Sequence, residues 1–307
     1  MTKTAWLFPG QASQKVGMGK DLFENTQIGL EYFNIANEIM NCDIKKIIFN
    51  GPDEELKKTE FTQPSIYIVS VILGEILLEK GLIPHAVAGH SLGEYSALTI
   101  AKSLNFKTGL ELVKFRSQSM ADAGKEEDGT MAAIVGLDNE VIFKICNNFK
   151  GNEKVVIANY NSPGQVVISG HNKAVEWAIN VAKEKGARMC IGLNVSGAFH
   201  SPLMQPAKEK LSEVINKSAI SDAIYPVYTN INAAPVIKST EIKNSLIQQL
   251  EKPVLWSRTI EAIKDSGITN FFEVGPGTVL KSLNKRINRK ISTIGYGTFK
   301  ELENIDV

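Results

Sequence analysis

Residues 84–101 read PHAVAGHSLGEYSALTIA, and within them Gly89-His90-Ser91-Leu92-Gly93 forms a G-x-S-x-G pentapeptide. Taken alone, that pentapeptide also describes an ordinary glycine-serine turn. Its flanks decide the matter: Ala86-Val87-Ala88 suits a buried strand, and Leu92, Tyr95, Ser96, Ala97 and Ile100 recur behind the turn at helical spacing. Strand, sharp turn and helix in direct succession make a nucleophile elbow. Glycine is needed on both sides because neighbouring backbones approach where a Cβ would stand. Such a turn lifts the Ser91 hydroxyl to the end of a sheet, and the helix N-terminus beneath it offers N–H groups to a developing negative charge.

Strand and helix patterns alternate along the remaining chain, which predicts an α/β architecture. Ala5-Trp6-Leu7-Phe8 is a short buried strand that stops at the turn Pro9-Gly10-Gln11, and residues 62–81 predict a long helix with Thr62 as cap and Pro64 in the first turn. The texture changes at Gly124-Lys125-Glu126-Glu127-Asp128-Gly129, a polar linker bounded by glycines. Beyond it the pattern gives a strand over 131–136, a helix over 139–148, paired strands over 155–159 and 165–169 joined by Asn161-Ser162-Pro163-Gly164, a helix over 173–185 and a strand over 187–195. That β-α-β-β-α-β order is the ferredoxin-like split unit. The expected organisation is a large parallel-sheet subdomain over residues 1–127 and 197–307, interrupted by a small ferredoxin-like subdomain over 128–196.

With 307 residues, 43% of them hydrophobic, the chain can bury one large core or two unequal ones. A formal net charge of +1 provides no global field toward nucleic acid or an anionic membrane. The basic stretch 281–290 reads by itself as a solvated helix face. Cys42, Cys146 and Cys190 lie far apart without C-x-x-C spacing, so neither a disulfide framework nor a metal site is expected. Apolar stretches such as 66–78, broken by Ser70, Gly74 and Glu75, are expected to be too short to span a bilayer. No targeting segment precedes the first strand and nothing signals an obligate interface, so a cytoplasmic monomer is the expectation.

A serine hydroxyl needs an adjacent base to act as a nucleophile near neutral pH. Four histidines are available. His85 precedes the elbow strand, His90 adjoins Ser91 and should point away from it, and His171 follows Ser169-Gly170 at a strand end of the small subdomain, where it reads as a solvent-exposed residue. His200, in Gly197-Ala198-Phe199-His200-Ser201-Pro202, stands where the chain returns to the large subdomain and can face the elbow across the cleft. It is the candidate base, with a structural loop histidine as the alternative.

Seven segments occur in order along the chain: LFPGQASQ, GHSLGEYSAL, FRSQSM with Arg116, MAAIVGL, NSPGQVVISG, AFHSPLM and EVGPG. Together they resemble the malonyl-CoA:acyl-carrier-protein transacylases of type II fatty acid synthesis, over essentially the whole chain. The resemblance implies a hydrolase-like α/β domain with a ferredoxin-like insert. It further implies Ser91 as the nucleophile on the malonyl thioester, His200 as its base, and the main-chain carbonyl of Gln249 in place of an acidic third member. The N–H groups of Gln11 and Leu92 would form the oxyanion hole. Arg116, which alone reads as a helix-surface arginine, matches the family's malonyl-binding arginine, whose fork would hold the free carboxylate. Phe199 before the histidine goes with malonyl over methylmalonyl, and Asn159 and Asn161 match a strand–turn near the cleft. No bound cofactor is implied, only the substrates malonyl-CoA and phosphopantetheinylated acyl carrier protein.

The chain departs from many members at Ala12, where they carry glycine; a positive φ there would strain the turn that holds the Gln11 N–H. Because acyl carrier proteins are acidic, a basic docking face is expected, with residues 281–290, Lys45 and Lys46 as candidates. A serine thioesterase would share Ser91 and His200 but would carry an acid partner and have no use for Arg116. A polyketide-loading acyltransferase would share every motif. A catalytically silent binding module would not keep Ser91, His200 and Arg116 together.

Overall fold

The computed structural model describes residues 3–303 and 305. The strands among these are β1 (Thr4–Phe8), β2 (Ala86–Gly89), β3 (Gly129–Val135), β4 (Val155–Ser162), β5 (Gln165–His171), β6 (Met189–Gly192), β7 (Val227–Tyr228), β8 (Pro235–Val236), β9 (Asn270–Val274) and β10 (Ser292–Tyr296). They make two sheets. The larger runs β10-β9-β1-β2-β7-β8, parallel from β10 to β7, with β8 antiparallel on the edge.

A parallel sheet must be covered on both faces, and the side-chain alternation of its strands supplies two apolar sides. Trp6, Phe8, Val87, Phe272 and Val274 turn into the main core, shared with the helix Thr59–Glu79. Ala5, Leu7, Ala86, Ala88 and Phe271 turn the other way, onto Trp256, Ile260, Ile263, Leu280 and Leu283 of two C-terminal helices. The sheet's middle is therefore dry on both sides, and its polar chemistry is confined to strand ends.

The smaller sheet, β4-β5-β3-β6, is antiparallel throughout. With the helices Asn139–Asn147 and Asn172–Glu184 it completes the β-α-β-β-α-β order. Ala132, Ile134, Val166 and Ile168 pack beneath those helices against Ile142, Ile145, Val175 and Ala178. On the opposite face Met131 and Val167 join the main core, so the small sheet is seated on the large subdomain. The architecture is α/β with a parallel sheet and a ferredoxin-like insert.

Several boundaries differ from the sequence-based expectation: β4 runs on to Ser162, into the expected turn, β6 is confined to Met189–Gly192, and two further differences have a clear physical reason. The long helix begins at Thr59, not Thr62, so Pro64 lies inside it, and the Thr62 hydroxyl donates to the carbonyl of Leu56 instead of capping. Its 21 residues are long and apolar enough to cross a membrane, contrary to the broken-stretch expectation, but 83% of the apolar window is buried inside this protein. A helix apolar on every side belongs in a core. The first half of the polar linker at 124–129 is also helical, since Phe106–Glu126 is one continuous helix. Its Gly124 has a packing reason: a Cβ there would lie 1.9 Å from the carbonyl oxygen of Ser196, on the segment that returns from the small sheet.

Candidate active site

Parallel pairing puts the C-terminal ends of β1, β2 and β7 side by side, with Phe8 opposite Gly89 and Ala88 opposite Tyr228. Three loops therefore leave one edge together: Pro9-Gly10-Gln11, the elbow, and Thr229-Asn230. Ligand sites in open α/β sheets form outside this end of the strands.

The elbow is as tight as its glycines require. A Cβ on Gly89 would lie 1.8 Å from the carbonyl carbon of Gly93, and one on Gly93 would lie 2.0 Å from the Phe8 carbonyl oxygen. Ser91 takes φ +52°, a left-handed conformation that a non-glycine residue adopts at a cost of about 1 kcal/mol or more. Its N–H donates to Asn230 Oδ1 at 2.7 Å and its carbonyl accepts from Gln249 Nε2 at 3.1 Å, so the strained residue is gripped at both main-chain polar groups.

His200, 4% exposed, has its Nε2 2.8 Å from Ser91 Oγ. Its Nδ1 lies 2.8 Å from the Gln249 carbonyl and 3.1 Å from that of Lys252. Carbonyls only accept, so Nδ1 carries the proton and the Nε2 lone pair faces the serine. The Gln249 carbonyl is free for this because it ends the helix Ser239–Gln249 and because Pro253, four residues on, has no N–H to offer it. Burial, then the positive charge of Arg116, pushes the His200 pKa down to about 3. The ring rests neutral, and the negative end of the helix faces Nδ1, where it favours the imidazolium that forms when Nε2 takes a proton.

Arg116 is fully buried within its helix, not on a surface. Nη1 donates to Gln63 Oε1 at 2.6 Å, and Nη2 donates to Gln249 Oε1 and to Ser91 Oγ, each at 3.0 Å. Among the described residues its Nε has no hydrogen-bond partner and no carboxylate pairs with the guanidinium. Burial pulls the guanidinium pKa below its ordinary value. A buried cation with neutral partners and a spare donor leaves room for an incoming anion.

Neither the Gln11 nor the Leu92 N–H has a protein acceptor among the described residues. Gln11 is held through its side chain, which accepts from Gln63 Nε2 at 3.2 Å. Ala12 has φ +78°, so the left-handed conformation under which alanine strains this turn is the one the chain adopts.

Glu94 and Asn230 were not anticipated from sequence. Glu94, 1% exposed in the helix Gly93–Ile100, accepts from the Asn230 N–H at 2.9 Å and from Gln249 Nε2 at 3.0 Å. Burial raises its pKa to about 7. Asn230 also donates through Nδ2 to the Gly89 carbonyl at 2.6 Å. The available signals were a carboxylate amid small and apolar helix residues, and an asparagine at the end of a parallel strand.

Other candidates lie further out. Asn161 Oδ1 is 2.9 Å from His90 Nε2, tying the small sheet to the elbow, and Asn159 bridges to Val254. Phe199 is buried in the main core. His85 accepts from the Thr4 N–H and His171 from the Lys154 N–H, both away from Ser91. Within the basic stretch, Lys285 and Arg286 close the helix Val279–Ile287, and Arg286 donates to Gln165 of the small sheet. Lys45 and Lys46 stand on a separate helix, Ile44–Asn50.

Residues 5–294 match the family model described as the acyl transferase domain. The chain is 42% identical over 304 residues to the malonyl CoA-acyl carrier protein transacylase of Bacillus subtilis, covering 99% of this chain and 96% of the relative. The transacylase structure from Coxiella burnetii superposes with a TM-score of 0.95 at 38% identity, covering 98% of this chain and 96% of that one. A malonyl-transacylase solved in complex with its type II polyketide acyl-carrier protein gives the same TM-score at 38% identity, covering 98% of both chains. The chain whose candidate site sets an elbow serine on a histidine, beside a buried arginine, belongs to the acyl transferase family.

Proposed function

We propose that this protein moves the malonyl group of malonyl-CoA to the phosphopantetheine thiol of acyl carrier protein, for fatty acid synthesis. One observation carries the choice of acyl group: Arg116, buried and among the described residues without a carboxylate partner, stands 3.0 Å from the Oγ of Ser91. A malonyl thioester attacked by Ser91 carries its free carboxylate within a few ångströms of the reacting carbon. The guanidinium fork is shaped for that group.

In the first half-reaction Ser91 Oγ attacks the thioester carbonyl and gives its proton to His200 Nε2. The negative oxygen is received by the N–H groups of Gln11 and Leu92. The C–S bond breaks, and His200 returns the proton to the leaving CoA sulfur. In the second half-reaction the carrier thiol gives its proton to His200 and attacks the Ser91 ester, and the serine leaves with that proton. Base catalysis of this kind contributes about 10²–10⁴-fold. The carbonyl pair behind Nδ1 fixes the tautomer without placing a buried charge, whereas a thioesterase triad would present a carboxylate there.

Carrier docking is assigned to the basic residues 281–290, a transient electrostatic contact to a monomeric enzyme. The similarity to a complex with a polyketide carrier supports a second acceptor class.

Intact-mass spectrometry after brief exposure to malonyl-CoA, acetyl-CoA or methylmalonyl-CoA, without carrier, tests the proposal. A malonyl adduct on Ser91 that outweighs the other two, and then passes to a fatty-acid or polyketide carrier, supports it. Steady CoA release with no adduct makes the protein a thioesterase instead.

A further inference from the structure

Glu94 is a buried carboxylate beside the nucleophile with no cation in contact among the described residues. Burying such a group is costly, and a glutamine of the same shape would avoid most of the cost. What the carboxylate adds is direction. Its Oε2 accepts from Gln249 Nε2 at 3.0 Å and from the Asn230 N–H at 2.9 Å. The same Gln249 nitrogen donates to the Ser91 carbonyl, and the other end of that amide, Oε1, accepts from Arg116 Nη2.

An amide group has two ends of nearly equal size and opposite hydrogen-bonding character. Turned round, Gln249 would aim two N–H donors at a guanidinium that also only donates. Above its pKa of about 7 the Glu94 carboxylate is ionised and accepts only, so it joins the Ser91 carbonyl in opposing that arrangement. We infer that Glu94 is a positioning residue for malonyl transfer, acting through the Gln249 amide to keep Arg116 aimed at the substrate carboxylate. This rests on the function proposed above.

In Glu94→Gln a neutral amide oxygen replaces the charged acceptor of the Asn230 N–H and of Gln249 Nε2, so the hold on the Gln249 amide weakens and Arg116 is aimed less firmly by its Oε1. The shape is kept and the buried charge removed, so the variant should fold. The Michaelis constant for malonyl-CoA in the acylation half-reaction is expected to rise about tenfold, the order for one misdirected hydrogen bond to a charged group, with a smaller change in kcat. A merely structural glutamate would not produce that split.

Gln249→Ala keeps the main-chain carbonyl that holds His200 and removes the amide relay. It should show the same rise, and the double variant should be no worse than Gln249→Ala alone, because both changes act through one amide. Unchanged KM in Glu94→Gln, or additive losses in the double variant, overturns the inference while the wild-type malonyl adduct upholds the function. Absence of a wild-type adduct removes the function and the inference together. Should Glu94→Gln not fold, Gln249→Ala alone must raise KM, and an unchanged value overturns the relay.

Discussion

Arg116 Nη2 lies 3.0 Å from Ser91 Oγ, so the candidate carboxylate receptor and the candidate nucleophile are hydrogen-bonded to each other before any substrate arrives. The serine oxygen accepts from Arg116 while its proton points to His200 Nε2, 2.8 Å away. Selection and chemistry are thereby fixed in one frame.

Arg116→Ala should lower kcat/KM for malonyl-CoA by about 10²-fold, the order for losing a charge-assisted pair in a buried site. Arg116→Lys should recover little, because an ammonium cannot present the planar fork and Gln63 and Gln249 are spaced for two nitrogens. Steady-state acylation kinetics measure both. A lysine variant within threefold of wild type would mean that charge alone suffices.

His200 sets the acid limb. Its folded-state pKa of about 3 lies below the ordinary 6.5, so the unfolded chain binds the extra proton. Its contribution to stability is complete above 6.5 and is lost as pH falls toward 3. Glu94, raised from 4.5 to about 7, works in the opposite sense: its contribution is complete below 4.5 and is lost as pH rises through 7. At saturating malonyl-CoA, where the Glu94 effect on KM does not enter, the acylation rate constant should stay level from pH 8 down to 5, because the base is already neutral in the resting enzyme. Rapid-quench CoA release across that range measures it, and a midpoint near 6.5 would place the histidine in a far wetter setting. His200→Ala should cut the same rate constant by about 10²–10⁴-fold.

The parts of the site legible in sequence are those whose physics is local. Ser91 announces itself because its turn needs glycines at fixed offsets, and the packing of Gly89 on Gly93 is that requirement in space. Position alone left His200 open between base and loop residue; its Nε2 on Ser91 Oγ settles where it points. Arg116 looked like a surface residue until its helix was packed, and only the family resemblance placed it inside. Glu94 and Asn230 were missed because their partners come from β7 and from the helix ending at Gln249, more than 130 residues away. The start of the long helix was misplaced for a related reason. Thr62 has the chemistry of a cap, but the Leu56 carbonyl claims its hydroxyl.

Gly89→Ala and Gly93→Ala should each destabilise the fold by roughly 3 kcal/mol or more, since the new methyl meets backbone and not a side chain that can swing away. Gly17→Ala is the contrast: it has φ +91° but nothing within 4 Å of its Cβ, so its cost should stay near 1 kcal/mol. Urea unfolding of the three variants checks the order. Equal losses would mean that backbone conformation, not crowding, sets the glycine requirement.

Ala12 offers the reverse experiment. With φ +78° it stores strain of about 1 kcal/mol in the turn after Gln11, while its N–H is held by Gln14 Oε1 at 2.8 Å. Glycine there relieves the strain but gives the unfolded chain more freedom, which returns part of the gain. Ala12→Gly should therefore raise Tm by only about 1–2 °C. Ala12→Val should lower it, because a β-branched residue fits this conformation poorly. The Gln11 N–H should keep its place in the glycine variant. The neighbouring Gly10 is wedged against the elbow, where a Cβ would lie 2.4 Å from the His90 carbonyl oxygen, and Gln63 holds the Gln11 side chain. The acylation rate should then match wild type within about twofold. A larger loss would show that residue 12 sets the oxyanion hole directly, and that this chain's alanine tunes the rate at which Ser91 is acylated.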